Sequence, residues 1–104
     1  MLLTYLYDYG LDSQDLEKLK ETATDVTYSE LSLFVGIVGG NIKYMKDFGV
    51  TNYAQVVVKY PDIFLRDAES FRNIFSKFDK ADLIAKVAKN PAVFKKMVDF
   101  VDNN

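Results

Sequence analysis

"TNYAQVVVKYPDIF" occupies residues 51–64, and its reading decides the fold. Three successive valines, Val56–Val58, suit a strand, because β-branched side chains sit well on a pleated surface. The wider spacing points the other way. Tyr53, Val56, Val57 and Tyr60 recur at i, i+3, i+4 and i+7, the period of one helix face, and Thr51 stands in position to cap it. Read as a strand, the segment implies a mixed, winged-helix-like α+β fold. Read as a helix, it makes the chain all-α, which is the preferred reading.

The same stretch has a counterpart further along. "YMKDFGVTNYAQVVVKYPDIF" (44–64) aligns with "IFSKFDKADLIAKVAKNPAVF" (74–94). Lys59 and Lys89, Pro61 and Pro91, and Phe64 and Phe94 are each 30 apart, and the two prolines are the only ones in the chain. Met45 falls opposite Phe75, Phe48 opposite Phe78 and Val57 opposite Val87; Asp79 stands opposite Gly49. A third copy is suggested by "YLYDYGLD" (5–12) against "YMKDFGVT" (44–51). The unit is a helix, a tight turn, a second helix and a Pro-marked restart. Each such unit has an apolar stripe that it cannot bury alone, so neighbours stack.

Similar punctuation divides the rest. Leu2, Leu6 and Tyr9 share one side of an opening helix that stops at Gly10, a residue suited to the left-handed turn. Asp12 or Ser13 caps the next helix. "TYSE" (27–30) has the form of a capping box ahead of Leu31, Phe34, Val35 and Val38. Gly39-Gly40 is expected to end that helix, Asn41 to cap the next and Gly49 to stop it. Phe71, Ile74, Phe75 and Phe78 form the clearest amphipathic stripe, followed by one of Leu83, Ile84, Val87 and Ala88. At Asn90-Pro91 the Asn caps and the Pro takes the first helical position, where its missing N–H costs nothing. Phe94, Met97, Val98 and Val101 line the last helix. The expectation is a single all-α domain over residues 1–104, with about seven or eight short, solenoid-like stacked helices.

With "YMKDFGV", "AQVVVKYPDIF" and "AKVAKNPAVF" in place, residues 44–97 resemble the repeats of the mitochondrial transcription termination factor (mTERF) family. Those repeats pair a "FLKxLG"-like helix with a second helix and a "yPxil" restart. The resemblance implies a curved α-solenoid that binds nucleic acid along a basic concave face.

Composition narrows the chemistry. The 104 residues are 49% hydrophobic and 14% aromatic, enough for a substantial core. There is no Cys, hence no disulfide framework or thiolate chemistry, which fits a reducing compartment. There is no His, which excludes imidazole bases, catalytic triads and most zinc sites. The carboxylate pairs Asp12/Asp15 and Asp99/Asp102 read as caps or solvated acids, and no phosphate-binding glycine loop occurs. No enzyme, metal or cofactor is expected. The longest apolar run, "LSLFVGIVGG" (31–40), is half of what a membrane span needs, ~20 residues. A soluble, cytoplasmic protein with no membrane partner is the expectation.

Charge is unevenly placed. Residues 1–40 hold Lys18 and Lys20 against seven acids, whereas residues 70–97 hold seven bases against Asp79 and Asp82. The leading expectation is non-enzymatic binding of a nucleic-acid backbone, DNA or RNA, by Lys77, Lys80, Lys86, Lys89, Lys95 and Lys96. The alternative is a protein–protein adaptor or inhibitor. It would use the acidic N-terminal half or a tyrosine surface drawn from Tyr5, Tyr7, Tyr9, Tyr44, Tyr53 and Tyr60. Attraction between the acidic and basic parts, within one chain or between chains, is a further expectation.

Overall fold

The computed structural model describes residues 3–104. Among them there is no strand. A short 3-10 segment, Thr4–Tyr9, leads into α1 (Ser13–Thr22), α2 (Asp25–Leu33), α3 (Val35–Phe48) and α4 (Tyr53–Lys59). A second 3-10 segment, Pro61–Leu65, precedes α5 (Ala68–Ser76), α6 (Lys80–Lys89) and α7 (Ala92–Asp102). The opening stripe is therefore a 3-10 turn; its Leu2 lies outside the described residues. The valines of the deciding segment are helical: Val56 and Val57 are fully buried and Val58 nearly so, which satisfies β-branched side chains as well as a strand would.

Short polar caps set the helix starts. Asp12 and Asp15 form a reciprocal capping box at α1. The carboxylates of Asp67 and Asp79 accept from the Ser70 and Asp82 N–H groups at α5 and α6. Asn90 Oδ1 accepts from the Ala92 N–H, holding the restart after Pro91. Gly10 and Gly49 end their helices with φ of 95° and 118°, a region open to glycine.

Three boundaries differ from the sequence expectation. The cap of α2 is Thr24, whose hydroxyl accepts from the Thr27 N–H, so "TYSE" lies inside the helix. Thr51 gives way to Asn52, which precedes α4 and sends its side chain elsewhere: Nδ2 donates to the Val87 carbonyl of α6 at 2.9 Å. Most consequentially, α3 runs straight through Gly39-Gly40, and the chain breaks instead at Phe34, which closes α2 and opens α3. Two contacts explain the shift. The Tyr5 hydroxyl donates to the Leu31 carbonyl at 2.8 Å, satisfying an acceptor that a helix end leaves free. Gly39 lies against the Tyr9 ring, where a Cβ would stand 2.5 Å from Cζ and Oη. Glycine is needed there for packing, and the helix bears its weak propensity.

The buried hydrophobics form one contiguous cluster. Its aromatic centre joins Phe64, Phe71, Phe75 and Phe94, all essentially inaccessible, with ring centroids of 5.2 Å for Phe64–Phe71 and 5.4 Å for Phe75–Phe94. Phe64 and Phe94 thus occupy comparable buried places after their prolines, although Pro61 starts a 3-10 turn and Pro91 an α-helix. Contacts also link non-neighbouring elements: α1 packs on α4, the first 3-10 segment on α3, and α2 on the second 3-10 segment.

One buried polar group organises the centre. Asn41, 2% exposed, donates from Nδ2 to the Phe64 and Arg66 carbonyls at 3.0 and 2.8 Å. It thereby ties α3 to the end of the second 3-10 segment, whose carbonyls have no helical partner.

Candidate functional site

The six lysines lie on the C-terminal helices. Lys77 follows α5, Lys80 opens α6, Lys86 and Lys89 close it, and Lys95 and Lys96 sit on α7. All are exposed except Lys95, which is half-buried. Acids are interleaved with them. Lys86 pairs with Asp82 at 3.0 Å and Lys95 with Asp99 at 2.7 Å, one helical turn away in each case. The hydrogen bond from Lys95 to Asp99 holds its ammonium above the usual lysine range. Lys80 Nζ lies over the Phe48 ring, 5.1 Å from its centre. Arg66 pairs with Asp102 and keeps that carboxyl below the usual carboxylate range. Lys77, Lys89 and Lys96 have no ion-pair partner among the described residues. Lys77 lines a shallow groove with Asn73, Phe100, Val101 and Asn104. Phe100, 57% exposed, leans on Phe78 with 6.0 Å between centroids.

The tyrosines divide differently. Tyr5, Tyr9, Tyr44, Tyr53 and Tyr60 are half-buried against the core, and Tyr7 alone of the six is exposed. Burial pushes the Tyr5 hydroxyl up to about 12, with Tyr9 adding to the effect.

What sequence reasoning missed is the α2–α3 corner. Val26 and Leu33, two helical turns apart on one stripe of α2, are 68% and 74% exposed. Phe34, Val35 and Ile37 continue this apolar surface into the first turn of α3. An exposed run of this kind is unfavourable in water and marks interaction surfaces. The signal was present in "LSLFVGIVGG", but helical spacing alone assigned its Phe34 and Val35 to the core.

Beside the corner runs a groove of about 590 Å³, lined by Lys20, Ala23, Asp25, Tyr28, Ser29, Ser32 and Leu33. A second groove shares Lys20 and Tyr28 and extends toward Tyr7 and Glu17. Helices α1 and α2, which form these walls, carry five acids against Lys18 and Lys20, and none of the acids is ion-paired among the described residues. Among those residues no three carboxylates converge as a metal site requires. Among the described residues no helix is long and apolar enough to cross a membrane.

The chain matches no protein-family model, no curated protein and no solved structure.

Proposed function

We propose that this chain is a non-enzymatic protein-binding module whose contact surface is the α2–α3 corner and its adjoining groove. The observation that supports this reading is the exposed apolar run Leu33–Ile37 beside a groove that carries both Lys20 and Asp25 and lies between helices with more acids than bases. Such a surface offers a partner an apolar centre to cover and a charged margin to orient it. A random peptide library panned on the wild-type protein, with counter-selection on Leu33→Lys, should enrich peptides that carry an aromatic or aliphatic anchor near basic residues. Equal recovery on both proteins refutes the reading.

The second reading is contact with a DNA or RNA backbone by the C-terminal lysines. It draws support from the exposed Lys77, Lys89 and Lys96, which have no ion-pair partner among the described residues, and from the resemblance of residues 44–97 to mTERF repeats. Oligonucleotide titrations at two salt concentrations test it. Affinity should fall with salt at a slope near −0.9 for each duplex phosphate neutralised. A Lys86→Glu/Lys89→Glu protein should bind more weakly and with a shallower slope. Absence of binding by wild-type protein at low salt refutes it.

A further inference from the structure

The α2–α3 corner presents large apolar side chains to solvent beside charge without ion-pair partners among the described residues. The Phe100 end of α7 does so too: the exposed ring is flanked by Lys96 one turn back and by Lys77 across the groove. The two places have opposite electrostatic character. The corner is walled by helices in which acids outnumber bases and lack ion-pair partners, while Lys77 and Lys96 are cations without partners among the described residues.

The fold keeps the two apart. Helix α2 packs on α3 and the second 3-10 segment, whereas α7 packs on α5 and α6. Within one chain, then, neither surface is covered by the other.

We infer that a second copy of this chain is an occupant of the corner, inserting its Phe100 end into the groove beside Leu33. This rests on the protein-binding reading above and names the partner. Three points favour it. The groove, at about 590 Å³, has room for an aromatic ring. Tyr28 and Leu33 on its walls suit the faces and edges of such a ring. Lys77 and Lys96 of the incoming copy bring positive charge toward helices α1 and α2, which carry five acids against Lys18 and Lys20, while the groove lining itself balances Asp25 with Lys20.

Charge also chooses the arrangement. A symmetric pairing, corner on corner or Phe100 end on Phe100 end, would set like charges against each other. Only the unlike pairing joins opposite charges, so the interface is head-to-tail. Head-to-tail contacts leave an open corner at one end and an open Phe100 at the other, so they extend into chains or close into rings.

Sedimentation velocity over a wide range of protein concentration, at low and high salt, provides the test. Wild-type mass should rise with concentration at low salt, and the rise should shrink as salt screens the rim charges. Leu33→Lys loses the socket and Phe100→Ser loses the plug, so each alone should remain monomeric. An equimolar mixture of the two variants still contains one intact socket and one intact plug. It should form a particle of twice the monomer mass that grows no further. Both substitutions are at exposed positions, and circular dichroism verifies that each variant is folded. If either is not, Lys96→Glu replaces it and should weaken wild-type association severalfold.

Wild-type protein that stays monomeric throughout overturns the inference, as does a mixture that stays monomeric while wild type associates. The protein-binding reading falls separately, on the peptide selection. Peptides enriched through Leu33 by a protein that remains monomeric would assign the corner to a different partner.

Discussion

Replacing Asn41 by leucine tests the centre of the fold by putting two methyl groups where the amide oxygen and nitrogen stand, with the same branching. Nδ2 of Asn41 is the donor to both the Phe64 and the Arg66 carbonyls, at 3.0 and 2.8 Å, in a site where Asn41 is 2% exposed. Neither carbonyl has another backbone partner outside the regular helices, so an apolar side chain there would strand both. Leaving a buried acceptor unsatisfied costs about 1–3 kcal/mol. Two carbonyls, of which the Arg66 one is only part-buried, lead to an expected loss of about 3 kcal/mol, softened by the greater hydrophobicity of leucine. Urea denaturation followed by circular dichroism measures it as a lower midpoint at unchanged slope. Asn41→Asp adds a sign test. A carboxylate facing two carbonyls is disfavoured, so the folded-state pKa is raised above the unfolded value of about 3.9. Stability of that variant should be best below that pH and be lost as pH rises through the folded-state value. A loss under about 0.5 kcal/mol for Asn41→Leu, the range of ordinary surface changes, refutes the reasoning.

The neighbouring glycines should respond in opposite directions. Gly39→Ala places a Cβ 2.5 Å from the Tyr9 ring and should destabilise, with partial rescue by Tyr9→Leu in a double-mutant cycle, whereas Gly40→Ala meets nothing within 4 Å and should stabilise by about 0.5–1 kcal/mol. Equal effects of the two alanines in thermal melts would show that the Tyr9 contact does not position α3. Tyr5, raised to about 12 by burial, contributes stability that is whole below pH 10 and is lost as pH climbs through the folded-state value. Denaturant titrations from about pH 9 to 12 should show a decline that sets in above pH 10 and that Tyr5→Phe removes, and the same decline in both proteins would refute this assignment.

Most helices were legible because their stripes are strong and their punctuation is chemical. Phe71, Ile74 and Phe75 are buried as their spacing requires, and Gly10, Gly49 and Asn90-Pro91 act where expected. The errors cluster where a distant residue settles a local choice. Gly39-Gly40 reads as a stop until Tyr9 arrives from the first 3-10 segment, and Asn41 reads as a cap until the Phe64 and Arg66 carbonyls claim its amide. The site was legible in composition rather than geometry. The lysines could be counted, but their i, i+4 acids divide them into paired and unpaired sets. The apolar corner escaped because Leu33, Phe34 and Val35 are followed by the buried Val38, and periodicity does not say where a stripe leaves the core.

The packing of α1 on α4 has a bearing on how the molecule behaves as a whole. A row of units that touch only their neighbours can fray from either end, each unit melting at its own modest cost. Here α1 packs on α4, which is three helices further along the chain, and the first 3-10 segment is held on α3 by the Tyr9–Gly39 fit. Closing that circuit costs entropy when the chain orders, because a long loop must be drawn shut before the contact is gained. Once shut, it couples the fate of its members, and α2 and α3 lie inside the loop. The corner between them therefore lies within the closed stretch of chain, not at an end that can fray by itself.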